Sequence, residues 1–408
     1  MRLYIDPGTG SMLFTILIGV LGALIYALRN VLVKARFLFS GGKGAKADDH
    51  EYPYVIFTDS KRYWNVFEPI CDEMEKRGEK VLYLTASEDD PALKKTYTNI
   101  KTEFAGTGNR AFARMNMIKA DLVLSSTPGL DVYQWKRSRD VKKYVHIPHG
   151  IYDLTLYRMF GLDYYDTILL TGPFQEEALR KLEQMRNLPA KEMPVVGLPY
   201  LDTMMKRYEK DGKPAHEKPI VLLAPSWGPS AILSRYGEKI IDALLKTDYQ
   251  IIIRPHPQSF ESEKDLIDRL TQKYQNSDRL EWDRSNDNYE TLRKSDILIS
   301  DFSGVLFDFS FIFERPVIYA DTGFDPSVYD ADWLDEKPWM FSVMDRMGVQ
   351  LTQDNVENIG PVIEEALRSE DLKAGREEAR QAAWQHIGHS AEKTADYLIE
   401  TRKKLSNG

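Results

Sequence analysis

The stretch SDILISDFSGVLFDFSFIFERPVIYAD, Ser295–Asp321, carries the clearest fold signal in the chain. Its apolar run Ile297–Ser300 has the length and composition of a buried strand, and a short polar turn separates it from Val305–Phe313, an apolar run of helical length. Pro316–Tyr319 is a second run of strand type. Strand, helix and strand in close succession indicate a βαβ unit, and such units build parallel sheets.

Similar runs alternate with charged amphipathic stretches on both sides of this unit. Further strands are predicted at Tyr54–Phe57, Lys80–Leu84, Leu122–Ser125, Lys143–Ile147, Thr167–Leu170, Pro194–Val196, Ile220–Leu223, Gln250–Ile253 and Leu280–Trp282. The charged stretch Lys206–Lys218 contains proline, lacks apolar periodicity and divides the pattern into two halves. The sequence therefore predicts an α/β chain with two Rossmann-like domains facing a cleft, 51–210 and 211–408, the second of which carries the C-terminal helices.

The composition is that of a folded globular protein. With 408 residues, of which 43% are hydrophobic and 28% charged, the chain is too long for one ordinary core. A net charge of −8 argues against nucleic acid as a partner, because nucleic-acid binders normally carry a basic surface. The single cysteine, Cys71, excludes an intramolecular disulfide, and we interpret it as a small buried hydrophobic residue.

Residues 1–50 are predicted to form a membrane anchor and a linker. Met12–Leu28 is an uncharged apolar run whose helix would span roughly 25 Å, slightly less than a hydrocarbon core. A buried core helix is disfavoured because apolar residues occupy every face. A cleaved signal peptide is disfavoured because cations stand where cleavage would occur. These cations are Arg29, Lys34 and Arg36. By the positive-inside rule, we expect a single-pass protein of the cell membrane with its bulk in the cytoplasm.

Ligands of doubly wound sheets bind beyond the carboxyl ends of the strands, and four motifs lie there. The first is HIPHG at His146–Gly150, in which His149 suits a general base because imidazole takes up a proton near neutral pH. A histidine that caps a turn is an equally good interpretation.

The second motif is RPHP at Arg254–Pro257, where two prolines fix His256 and the guanidinium of Arg254 suits phosphate oxygens. Function is favoured over a plain turn at this second motif.

The third motif joins the strand Ile297–Ser300 to the predicted helix at Val305. Free backbone amides at a helix N-terminus form an anion site, and Gly304 lacks the side chain that would keep a phosphate away. The neighbouring polar residues are Ser300, Asp301 and Ser303. Taken alone, a simple helix cap by Asp301 or Ser303 is the stronger interpretation.

The fourth motif is APSWG at Ala224–Gly228, which offers the Ser226 hydroxyl and the Trp227 ring to a nucleotide or an acceptor. A core tryptophan beside a turn is the commoner case. No metal site is predicted, because His146 and His149 have no carboxylate partner at helical spacing. His386 and His389 are interpreted as a packed or solvated pair on one face of the C-terminal helical region. No cofactor is predicted either.

The order and spacing of these motifs resemble the CDP-glycerol glycerophosphotransferase family, which builds teichoic-acid-type polymers. The resemblance rests on His149–Gly150, Arg254–Pro257 and, most specifically, Ser295–Asp321, and it covers roughly Tyr54 to Asp321. It implies a fold of the GT-B type without a required metal, with an acceptor domain followed by a nucleotide-donor domain.

The resemblance also implies a reaction. A hydroxyl of a lipid-linked or polymer acceptor at the bacterial membrane attacks the β-phosphate of CDP-glycerol, or of a related CDP-polyol, and CMP leaves. His149 would be the catalytic base, and His256 would stabilise the pyrophosphate or assist the leaving group. The implied donor-phosphate residues are Arg254, Ser300, Asp301, Ser303 and Gly304. Asp308 would support the ribose or the loop, or serve structure alone.

Three positions depart from the family pattern. Ile151 replaces a threonine, Gly228 stands where the family has an arginine, and Gly304 replaces a serine. Arg235 is a candidate for the missing cation. Whether Tyr152 and its neighbours bind the acceptor or pack stays open, with packing slightly favoured; the neighbours are Tyr157 and Arg158.

Two other functions remain open at this point. A nucleotide-sugar glycosyltransferase or a UDP-sugar 2-epimerase-like enzyme would use the same paired halves, although the predicted membrane helix argues against an epimerase. A non-catalytic, membrane-anchored nucleotide-binding protein is the second alternative. The presence of His149, Arg254 and His256 argues against it.

Overall fold

A computed structural model describes residues 51–285, 287–320, 323 and 325–407. The predicted anchor helix Met12–Leu28 lies outside these residues. Within the described part of the chain, no helix combines the length and the apolar character needed to cross a bilayer.

The first half of the chain forms a six-stranded sheet in which every pair is parallel. The strand order is β3-β2-β1-β4-β5-β6. The strands are β1 Tyr52–Thr58, β2 Val81–Thr85, β3 Ile100–Phe104, β4 Ala120–Ser125, β5 Val141–His146 and β6 Thr167–Ile168. The order reverses direction between β1 and β4, so their carboxyl ends flank the crevice where ligands of such sheets bind.

The second half repeats this arrangement in a second parallel sheet. Its order is β12-β11-β10-β7-β8-β9, which is the order of the first sheet read from the other edge. The strands are β7 Ile220–Leu223, β8 Gln250–Ile253, β9 Leu280–Trp282, β10 Ile297–Ser300, β11 Val317–Ala320 and β12 Gly348–Leu351. The corresponding crevice therefore lies between the ends of β7 and β10.

Helices cover both faces of each sheet. Those of the first half are α1 Trp64–Lys76, α2 Asn109–Met115, α3 Glu176–Met185 and α4 Pro199–Asp211. Those of the second half are α5 Ile232–Arg235, α6 Glu238–Leu245, α7 Ser259–Ser262, α8 Lys264–Lys273, α9 Tyr289–Lys294, α10 Val305–Phe313, α11 Trp339–Ser342, α12 Met344–Met347, α13 Ile359–Arg368, α14 Glu370–Ala383 and α15 Ser390–Asn407. Each face buries a separate apolar cluster, as expected for strands covered on both sides.

The prediction of two Rossmann-like halves is confirmed, but two strands were missed. Both β3 and β12 are edge strands, and β3 reads IKTEF with only its first residue buried. Edge strands need not be apolar on both faces, so they lack the run by which the other strands were found. Pro194–Val196 forms only an isolated bridge, between Leu170 and Val195, because it lies beside the short edge strand β6.

Two helices join the halves more closely than the predicted boundary implies. Helix α4 continues to Asp211, past the predicted start of the seam at Lys206, and Leu201 and Met204 belong to an apolar cluster of the second half. Helix α15, at the end of the predicted second domain, packs against the first sheet. Its Arg402 and Asp396 pair with Asp121 and Arg77. The chain therefore passes between the halves twice.

A third connection is a buried ion cluster between the halves, which we call the interlobe clamp. Arg186 of the first half bonds to Asp163 at 2.7 Å and to Asp330 of the second half at 2.6 Å. Its guanidinium lies 4.8 Å from the ring centres of both Phe160 and Trp333. Only 5% of the Arg186 side chain and 3% of the Asp330 side chain are exposed, so neither charge has water as a substitute partner.

Candidate active site

A cavity of about 580 Å³ lies where the carboxyl ends of the two sheets meet. This volume is within the usual range for small-molecule sites. Six of the residues proposed from the sequence line it: His149 from the first half, and Ser226, Trp227, His256, Ser303 and Gly304 from the second. The structure thus brings the two histidines, taken from opposite halves, into one space.

His149 follows β5 and is surrounded by tyrosines. The Tyr152 hydroxyl lies 3.0 Å from Nδ1 of His149, and the Tyr63 ring centre lies 4.5 Å from the imidazole. Burial lowers the pKa of His149 to about 4, because the enclosed site penalises the charged ring. The imidazole is therefore neutral at physiological pH and has a lone pair to accept a proton.

His256 follows β8 in the RPHP turn, and its backbone surroundings determine its tautomer. The Gln258 N–H donates to Nδ1 of His256 at 3.1 Å. Burial, together with the charge of Arg62, lowers the pKa of this imidazole. A neutral ring that accepts at Nδ1 carries its hydrogen on Nε2, so His256 acts as a hydrogen-bond donor at that atom.

The N-terminus of α10 supplies a second set of donors at the cavity. Ser303 caps the helix weakly, its Oγ accepting the Val305 N–H at 3.4 Å. Among the described residues, no hydrogen bond occupies the backbone N–H of Ser303 or Gly304. A Cβ at Gly304 would meet no atom within 4 Å, so the loop faces open space. Free amides at the start of a nine-residue helix suit a phosphate group.

Ser300 and Asp301, predicted to contact donor phosphate, are buried and serve the loop instead. The Ser300 hydroxyl donates to the Ala224 carbonyl at 2.7 Å. The Asp301 carboxylate accepts the N–H of Ser226 at 2.9 Å and that of Ile232 at 3.0 Å. Burial raises the pKa of Asp301. Both side chains therefore fix the Ala224–Gly228 turn beside the cavity rather than face it.

Arg254 does not line the cavity either. Its guanidinium bonds to Asp283 at 2.5 Å and to the Ser285 hydroxyl at 3.0 Å. The RPHP motif predicts that Arg254 contacts phosphate. In the structure the Arg254 guanidinium pairs with Asp283, which follows β9. The cation near His256 is Arg62, from the turn after β1, whose charge contributes to the lowered pKa of His256. No motif in the sequence marked Arg62.

Trp227 lines the cavity, whereas Asp308 does not. Trp227 is 49% exposed and its ring centre lies 6.4 Å from that of His256, so it is not a core tryptophan. Asp308 lies in the first turn of α10 but does not line the cavity. Its neighbour is Tyr200, and burial raises the pKa of Asp308 to about 7.

The departure at Gly228 has a backbone cause. Gly228 adopts a φ of +93°, which side-chain-bearing residues rarely adopt. An arginine at this position would strain the turn, and Arg235, the suggested substitute, does not line the cavity.

Among the residues that the structure describes, no group of three or more His, Cys, Asp or Glu side chains is placed to hold a metal ion.

Comparisons with known proteins agree with this architecture. Wall teichoic acid polymerase TagF superimposes with a TM-score of 0.55 at 15% identity, over 95% of this chain and 99% of that one. MnaA of S. aureus, solved with UDP, gives a TM-score of 0.59 at 14% identity over 86% and 97% of the two chains. The UDP-GlcNAc 2-epimerase of Methanocaldococcus jannaschii gives 0.56 at 13% identity, over 86% and 100%. At these identities the likeness shows a shared fold alone.

Sequence comparisons are more specific. A stretch of 101 residues is 33% identical to the minor teichoic acid biosynthesis protein GgaB of Bacillus subtilis (strain 168), covering 23% of this chain. The match spans only 10% of the length of GgaB. The family model of CDP-glycerol:poly(glycerophosphate) glycerophosphotransferases matches residues 52–334, well over half of the chain. The chain therefore belongs to this family of phosphotransferase-type enzymes.

Proposed function

We propose that the protein transfers glycerol phosphate, or a related polyol phosphate, from a CDP-activated donor to a hydroxyl of a cell-envelope acceptor. The acceptor is a membrane-associated polymer or a lipid-linked molecule. The acceptor oxygen forms a bond to the β-phosphorus of the donor, the bond between this phosphorus and the bridging oxygen breaks, and CMP leaves. The observation that carries the proposal is the cavity in which His149 and His256 meet beside the free amides of α10.

His149 acts on the acceptor side of this cavity. An alcohol is a weak nucleophile until a base takes its proton, and a positioned side chain contributes roughly 10²–10⁴-fold to such a step. The low pKa of His149 keeps its lone pair free at neutral pH. His149 belongs to the first half, and the donor loops belong to the second, so acceptor and donor approach from opposite sides.

The donor's diphosphate lies against the second half. The amides of Ser303 and Gly304 and the start of α10 bind its oxygens, as helix N-termini bind phosphate. His256 donates from Nε2 to an oxygen that gains charge as CMP leaves. The half-exposed ring of Trp227 provides a stacking face for the base or for the polyol.

The release of CMP tests this function. Purified full-length protein would be incubated with CDP-glycerol, CDP-ribitol or UDP-GlcNAc and a membrane acceptor fraction, with and without EDTA. We expect CMP release from a CDP-polyol that persists in EDTA. Release of UDP alone would contradict the proposal in favour of a nucleotide-sugar enzyme, and nucleotide binding without turnover would indicate a non-catalytic protein.

We also propose that Met12–Leu28 anchors the chain in the bacterial cell membrane with the catalytic halves in the cytoplasm. Three cations follow this run, and the cytoplasmic flanks of membrane helices carry such an excess of Lys and Arg. Protease added to intact cells should then leave residues 51–408 undigested, while protease added to lysed cells should cleave them. Digestion in intact cells would exclude this orientation.

A further inference from the structure

A continuous chain of hydrogen bonds leads from His149 into the interior of the first half. The Tyr152 hydroxyl lies 3.0 Å from Nδ1 of His149, nearer than the 3.4 Å to Nε2, and 2.7 Å from the Tyr157 hydroxyl. The Tyr157 hydroxyl lies 3.1 Å from Nε2 of His146, the last residue of β5, which is fully buried. Three side chains from one short segment thus connect the cavity to the buried imidazole of His146.

The segment is built to allow this chain. A Cβ at Gly150 would lie 3.1 Å from the Tyr152 ring, so the glycine leaves room for the tyrosine to fold back onto His149. The Asp330 N–H donates to the Tyr157 carbonyl at 3.0 Å, which ties the middle of the chain to the interlobe clamp. Tyr157 is therefore held in place from both halves.

The direction of the chain decides what His149 presents to the cavity. For Nε2 to have a free lone pair, Nδ1 must carry the hydrogen and donate it to the Tyr152 oxygen. Tyr152 must then donate to Tyr157, and Tyr157 to an acceptor. Nε2 of His146 is this acceptor. Burial lowers the pKa of His146 to about 3, so the ring is neutral, and its one hydrogen then lies on Nδ1, a buried atom without a hydrogen-bond partner among the described residues.

The chain does not carry the positive charge away from His149. His146 has the lower pKa of the two histidines, about 3 compared with about 4, and burial is the main cause for both. Burial disfavours a charge on His146 as it does on His149, so transfer of the proton to His146 brings no gain. These hydrogen bonds therefore orient the His149 ring and select its tautomer, as in other sites where a buried partner fixes the hydrogen of a catalytic imidazole.

We propose that Tyr152, Tyr157 and His146 are positioning residues that hold His149 in the tautomer whose Nε2 lone pair faces the cavity. This inference rests on the proposed function, in which His149 takes the proton of the acceptor hydroxyl. It assigns roles to three side chains, of which Tyr152 and Tyr157 also line the cavity, and it makes the segment from His146 to Tyr157 one functional unit.

The test compares the removal of tyrosine hydroxyls that belong to this series of hydrogen bonds with the removal of one that does not. Tyr152→Phe and Tyr157→Phe remove one link each, whereas Tyr165→Phe is the matched control. Tyr165 is also buried and packs on His146 with a ring distance of 5.1 Å, but its hydroxyl donates to the Thr127 carbonyl. His146→Gln keeps an acceptor at the end of the chain, and His146→Leu removes it. Thermal unfolding would confirm that each variant is folded.

We expect Tyr152→Phe, Tyr157→Phe and His146→Leu to lower kcat by at least about 10-fold with donor KM within about 2-fold of the wild type. Tyr165→Phe and His146→Gln should stay within about 3-fold of the wild-type kcat. In protein labelled with ¹⁵N at histidine, the His149 signals, identified by their loss in His149→Gln, should shift toward the Nε2–H tautomer in the first three variants.

Two results would overturn the inference while leaving the proposed function intact. One is a kcat for Tyr157→Phe equal to that of Tyr165→Phe, and the other is an unchanged tautomer of His149 in Tyr152→Phe. A fully active His149→Gln would instead contradict the proposed function itself, because no base would then be needed at this position.

Discussion

Replacing His149 with alanine is expected to reduce the rate of CMP release by about 10²–10⁴-fold, the usual contribution of a positioned base. The acceptor hydroxyl must lose its proton as the new bond to phosphorus forms, and the imidazole from the first half is the neutral base in the cavity. Donor KM should change little, because the diphosphate lies against the second half. Initial rates of CMP release at saturating donor measure the effect.

His389→Ala is the matched control for this substitution. His389 is a surface histidine that pairs with Glu392, and 68% of its side chain is exposed, so its loss should leave the rate unchanged.

The wild-type pH dependence gives an independent check of the role of His149. A base with a pKa of about 4 keeps its lone pair at every pH above that value, so kcat/KM should not fall near pH 6.5 as the medium is acidified. A His149→Ala variant with more than a tenth of the wild-type rate would contradict the assignment.

Replacing Arg186 with methionine is expected to lower the free energy of unfolding by about 3–5 kcal/mol, since it leaves a buried carboxylate without its partner. Asp330 is the carboxylate most affected, because its side chain is only 3% exposed. The substitution also removes the cation between the rings of Phe160 and Trp333. Denaturant unfolding of the full-length protein, followed by tryptophan fluorescence, measures the change.

Arg368→Met serves as the control for the interlobe clamp. Arg368 forms an exposed pair with Glu364 on one helix, with 81% of the arginine side chain exposed, and such pairs contribute roughly 0.3–0.5 kcal/mol. Adding Asp330→Asn to Arg186→Met should recover part of the lost stability, because the unpaired charge is then removed. Equal losses for Arg186→Met and Arg368→Met would show that the clamp does not hold the halves together.

Most of the fold follows from apolar runs in the sequence, and the exceptions share one cause. Strands covered on both faces, such as Ile297–Ser300 and Ile220–Leu223, show as continuous apolar runs and were placed correctly. The edge strands Ile100–Phe104 and Gly348–Leu351 carry polar residues and give no such signal. A continuous apolar run marks a strand that is covered on both faces. Central strands are therefore easier to recognise in a sequence than edge strands.

The structure brings together the loops that the sequence indicated, but not every side chain on them. Residue type and strand ends placed His149, His256 and the start of α10 at one edge, and the structure brings them together. The same reasoning placed Arg254 and Asp301 beside them, yet both are occupied by partners far along the chain. The partner that a charged side chain meets depends on packing between distant segments, which spacing along the sequence does not encode. For the same reason, the sequence leaves open whether the tyrosines beside His149 pack or bind the acceptor.

The double passage of the chain between its halves limits how the enzyme can open. One link runs through α4 into the stretch before β7, and the other runs from α14 to α15, which returns to the first sheet. A body attached at two separate points rotates about the line through them, and such a rotation has to separate Arg186 from Asp330 in the interlobe clamp. The substrates would then enter and leave by a single rocking motion that separates the two imidazoles without misaligning either from its own loop.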